Sequence, residues 1–109
     1  MNPNSIFFEK NKELFKSFIQ ERWLFLSKIE FFLLDKQAKY SVQKGRTMYD
    51  KICTYLQVVS NIRGDVISLL YNLYNDVDIQ DEFYRHSKEI TALYELVKID
   101  FDTESVIYQ

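Results

Sequence analysis

Apolar residues recur along this chain at three- and four-residue steps, the spacing that marks one face of an α-helix. The first run is Phe15, Phe18, Ile19, Phe25, Leu26, Ile29, Phe32 and Leu33. A second holds Met48, Ile52, Tyr55, Val59, Ile62, Val66, Leu69 and Leu73, widened by Leu56, Ile67, Leu70 and Tyr74. A third carries Phe83, His86, Ile90, Leu93, Tyr94 and Val97. Polar punctuation separates them. Asn4 or Ser5 is a suitable cap for a helix starting at Ile6, and Lys36, Lys39 and Lys44 stand where cations favour a helix C-terminus. Gly45 follows as the residue past the helix end, and Thr47 to Asp50 reads as a variant capping box. Asn75 to Asp78 is a turn with Asp78 as the next cap. The pattern predicts helices over about 6–44, 48–75 and 79–99.

Gly64 interrupts the second run, but the apolar phase continues across it, so one continuous helix is expected. Two long helices joined by a turn at Gly45–Thr47 must lie antiparallel, and the third folds back on them. The expected fold is all-α: a long helical hairpin plus a shorter helix, a three-helix bundle with coiled-coil-like packing. Residues 100–109 fit a packed end, a short helix at Thr103 or a free tail equally well.

Composition narrows the chemistry. The 109 residues fit one domain. Two glycines and one proline exclude a turn-rich β fold and a Gly-rich phosphate loop. One cysteine and one histidine exclude a disulfide framework and a Cys/His structural zinc site. The N-terminus lacks a secretory signal pattern, and the most apolar window, Trp23–Leu34, contains Lys28 and Glu30. A cytoplasmic protein that does not span a membrane is expected.

Charge divides the chain. Residues 1–63 carry eleven Lys/Arg against six Asp/Glu, and residues 64–109 carry three against ten. No dense basic run accompanies this asymmetry, so attraction between the halves, within the fold or between copies, is the preferred reading.

On a helical wheel the first helix has more apolar surface than two neighbours cover. Trp23, Leu24, Phe31 and Leu34 fall opposite its main stripe, and Leu24, Ser27, Phe31 and Leu34 step by three, four and three. Such a seam, with large side chains, is typical of an interface core. The simpler expectation is that the third helix or the chain end covers it. The back of the second helix (Asp50, Thr54, Gln57, Asn61, Ser68, Asn72, Asn75) is polar, as for a solvated face.

Candidate chemistry is sparse. His86 has Glu82 and Glu89 one turn either side, a spacing suited to metal ligation or a tuned base, but it falls on the stripe of Phe83 and Ile90 and reads as a boundary histidine. No Ser or Cys nucleophile has an evident base beside it. Asp76 to Asp81 has the carboxylates of a calcium loop, yet Asp81 and Ser87 occupy positions needing Gly and Glu, so helix capping is preferred. Arg63-Gly64-Asp65 lies inside a predicted helix and is read as chance. Lys36, Lys39, Lys44, Arg46 and Lys51, interleaved with Tyr40 and Tyr49, surround the hairpin tip, where cations and aromatics can meet phosphates and bases.

The sequence thus predicts a non-enzymatic helical interaction protein, a regulator, inhibitor or assembly subunit, without cofactor or metal. Its expected partner is a second copy or another protein through Trp23, Leu24, Phe31 and Leu34. The alternative is a nucleic-acid contact at the basic tip.

Overall fold

A computed structural model describes the backbone of residues 3–40 and 42–101 and the side chains of 11–40 and 45–101. Three helices run in order: α1 (Pro3–Lys39), α2 (Val42–Tyr74) and α3 (Gln80–Phe101). No strand occurs among the described residues. The chain forms the expected three-helix bundle, an α1–α2 hairpin with α3 laid along it. At 1.5 Å per residue, α1 alone is roughly 55 Å long, and the molecule is a rod of 64 × 22 × 17 Å.

Each predicted stripe supplies the core. Ile19, Leu26, Ile29 and Leu33 of α1 meet Ile52, Val59, Ile62, Val66, Leu69 and Leu73 of α2, with Phe83, Ile90, Leu93 and Val97 of α3 closing the third side. The aliphatic residues occupy the shared centre. The aromatics of α1 instead line its seam with α3: Phe15 meets Phe83, Phe25 meets Tyr94 and Phe32 meets Phe101, edge-to-face at 5.3–5.7 Å. Such pairs add to their area burial and fix the register of two helices.

The α2–α3 turn is determined locally. Asp76 adopts φ 61°, a left-handed conformation that Asp tolerates better than most residues. The Asp76 amide donates to the Leu73 carbonyl and the Val77 amide to the Asn72 carbonyl, the two bonds of a Schellman ending. The Asp78 carboxylate then accepts from the Gln80 amide at 3.0 Å, and buried Ile79 plugs the turn against the core. The acidic run therefore ends one helix and starts the next.

The α1–α2 turn departs from the sequence reading. α1 begins at Pro3, the proline being well suited to a first helical position. It ends at Lys39 rather than at 44, and α2 begins at Val42 with a kink at Gly45. Gly45 has φ −163°, an extended conformation open to any residue. Its requirement is steric. A Cβ at Gly45 would lie 3.1 Å from the Tyr40 ring, which folds over the turn. Residues 102–109, part of the segment left open by the sequence, lie outside the described residues, while α3 continues to Phe101.

Gly64 sits inside α2 without breaking it, and a Cβ there meets nothing within 4 Å. Gly64→Ala should therefore stabilise the fold by about 1 kcal/mol and raise Tm by about 4 °C in a thermal melt followed by circular dichroism. Leu26→Ala, at a position with no exposed surface, should cost about 2–5 kcal/mol in the same measurement.

Candidate protein-interaction surface

α3 occupies one side of the hairpin and leaves the other open. Along α1, Phe15, Phe25 and Phe32 turn toward α3, and so does Arg22, whose Nη2 donates to the Ser87 carbonyl and to Thr91 Oγ1, each at 2.7 Å. Trp23, Glu30 and Gln37 turn toward α2. The next positions round the wheel, Leu24, Phe31 and Leu34, have no neighbour among the described residues to bury them. Leu24 is 61% exposed and Phe31 68%, and Leu34 is also exposed.

Trp23 behaves differently from the other three seam residues. It packs partly buried against the core, with the Arg63 guanidinium 5.1 Å above its ring. Arg63 is held there by a bidentate pair with Glu30 at 2.8 and 2.9 Å, so a cation–π contact and an ion pair fix the indole. Trp23 forms a wall of an open groove between α1 and α2, with Ile19, Gln20, Leu24, Ile67 and Leu70. The wheel reading placed Trp23 within the seam; the structure places it at the seam's inner edge.

The opposite bank was missed by the sequence reading. Ile67, Tyr71 and Tyr74 are exposed on α2, although Ile67 and Tyr74 fall on its widened apolar stripe. Their position roughly 80–140° round from Val66 was the available signal. The polar back of α2 is exposed as expected, except for half-buried Asn72, whose carbonyl serves the turn. Leu96 and Ile99 of α3 are also exposed.

Each described cation of the basic tip has an acidic or aromatic neighbour in its own chain. Lys39 pairs with Asp35 at 3.0 Å, Arg46 with Asp50 at 3.9 Å and Lys51 with Asp100 at 3.4 Å. Lys36 lies 5.4 Å from the Phe32 ring centroid and 5.9 Å from that of Phe101. The Lys44 side chain lies outside the described residues. Tyr40 packs on Gly45 and Phe101, leaving it little freedom to stack on a base.

Helix α2 holds the end of α3 through Tyr55, whose hydroxyl donates to Asp100 Oδ2. Burial first, and this bond second, push the Tyr55 phenol up to about 12. The same bond, aided by Lys51 and opposed by burial, holds the Asp100 carboxyl below its ordinary value. Away from this contact, α2 and α3 also bring Asp65, His86 and Glu89 together, while Glu82 is absent from that group. Among the described residues, Nε of Arg22 and of Arg63 are buried without a hydrogen-bond partner.

The class defined by this arrangement is an all-α three-helix bundle whose α1–α2 flank, among the described residues, leaves large apolar side chains uncovered. No helix of the described residues is long and apolar enough to cross a membrane. Comparison with known proteins finds no matching family model, no similar curated protein and no matching solved structure.

Stability should fall at both pH extremes. A raised Tyr55 pKa stabilises the fold fully below the unfolded tyrosine value of about 10, and that contribution disappears as pH rises through about 12. A depressed Asp100 pKa stabilises above about 4 and is lost as pH falls through the lower folded value. Urea unfolding across pH checks this: relative to wild type, Tyr55→Phe should weaken both dependences.

Proposed function

We propose that this chain is a non-enzymatic helical interaction module that pairs with a second copy of itself through the α1–α2 flank. The observation that carries this reading is the exposure of Leu24 and Phe31 beside an apolar groove, on the side of the hairpin that α3 does not occupy. Burying a large apolar side chain contributes about 1.5–3 kcal/mol. Two seams meeting across a two-fold axis therefore place several such side chains in one interface.

A second copy presents the same apolar flank, so the surface is self-complementary and closes across one two-fold axis. Such pairing suits an assembly subunit, or a regulator that acts as a dimer. The single Cys53, half-buried, fits a reducing, cytoplasmic setting. The alternative, a nucleic-acid contact through Lys36, Lys39, Lys44, Arg46 and Lys51, has weaker support, because each described member of that set already meets a carboxylate or an aromatic ring.

Sedimentation of the wild type beside a Leu24→Glu, Phe31→Glu double variant tests the proposal. The wild type should sediment as a dimer and the variant as a folded monomer. A wild type that is monomeric at high micromolar concentration would overturn the reading. Because both positions are exposed, the variant should keep its helical circular dichroism.

A further inference from the structure

We propose that Asp65, His86 and Glu89 form a site for one divalent cation of the zinc class, bridging α2 and α3. His86 Nδ1 lies 3.4 Å from Glu89 Oε2 and 3.7 Å from Asp65 Oδ2, and the three donor atoms all lie within 4.8 Å of one another. Zinc bonds of about 2.0–2.1 Å at the tetrahedral angle separate neighbouring donors by roughly 3.3–3.4 Å. Two edges of such a polyhedron are therefore close to their final length. The third closes by rotation of two carboxylates whose side chains are 49% and 42% exposed.

Rigidity and chemistry support the same assignment. His86 is 8% exposed and sits on the core stripe between Phe83 and Ile90, so packing fixes the imidazole before any ion arrives. Glu89 follows it by three residues on the same helix face, and Asp65 comes from the facing helix. Imidazole with carboxylates is a donor set that zinc and its first-row neighbours accept, and water from the open side completes the coordination. Nδ1 carries at most one hydrogen, so it can make a full hydrogen bond to only one of the two carboxylates at a time. A cation contacts both together with Nδ1. Binding would clamp the first half of α3 onto α2.

This site is separate from the proposed pairing flank. Asp65 and Ile67 stand two positions apart on α2 and point roughly 200° apart round its axis. Metal binding and self-association therefore have independent readouts.

The experiment adds zinc chloride to metal-free full-length protein, with calorimetry and thermal unfolding as readouts. One equivalent should bind, and Tm should rise by about 10 °C at zinc a hundredfold above Kd. Chelation should reverse the rise. An Asp65→Asn, Glu89→Gln double variant should lose the rise while keeping its apo Tm within a few degrees. An unchanged wild-type Tm, or an equal shift in the double variant, would overturn the site. Cobalt(II) supplies a test on the wild type that needs no variant. A tetrahedral visible spectrum displaced by zinc is expected, and a purely octahedral, hydrated spectrum also overturns the proposal.

Discussion

The aliphatic seam shared by all three helices is the interaction on which the other features depend. Ile19, Leu26, Ile29 and Leu33 of α1 are buried because the apolar faces of α2 and α3 pack against them in one cluster. In a rod only 22 by 17 Å across, the buried apolar side chains of the described residues form one cluster. Each helix therefore depends on the other two, since a single helix in water is marginal without a packed apolar face. The α1–α2 turn sets the antiparallel register of this seam. Its tight point is sterically set by the Tyr40 ring against Gly45.

Polar groups at the margins of the seam position α3. Arg22 reaches Ser87 and Thr91 near its middle, and Tyr55 and Lys51 hold Asp100 at its end. The edge-to-face pairs spaced along α1 restrict sliding, because a shift of α3 would break the contacts at Phe83, Tyr94 and Phe101 together. The exposed ion pairs add little individually. What matters for the proposed pairing is the side on which α3 is fixed. Committed to the face bearing Phe15, Phe25 and Phe32, it leaves Leu24 and Phe31 facing outward.

The open flank and the Asp65–His86–Glu89 group lie on different sides of α2, and each follows from where α3 lies. One is the surface that α3 does not cover. The other exists only because α3 brings His86 against α2. A single placement thus creates both an uncovered apolar face and a convergent set of donors. This is how a chain with little recognisable chemistry in its order of residues acquires candidate sites.

Much of this was legible in the sequence. The three- and four-residue apolar steps identified the helices and nearly every core residue, because helical periodicity maps position in the chain onto direction in space. Asp78 was readable as a cap because its carboxylate bonds an amide two residues away. The end of α1 was not readable: Lys39 rather than Lys44 closes that helix, and the Tyr40 ring meets Gly45 only after the chain has turned. Leu24, Phe31 and Leu34 stood out on the wheel, but the wheel could not separate Trp23, which Arg63 from another helix draws inward. Asp65 beside His86 was hidden for the same reason. Local sequence determined each helix and the direction of its faces; only packing between residues distant in the chain decided which faces meet, because that depends on side-chain shape across an interface that no single segment contains.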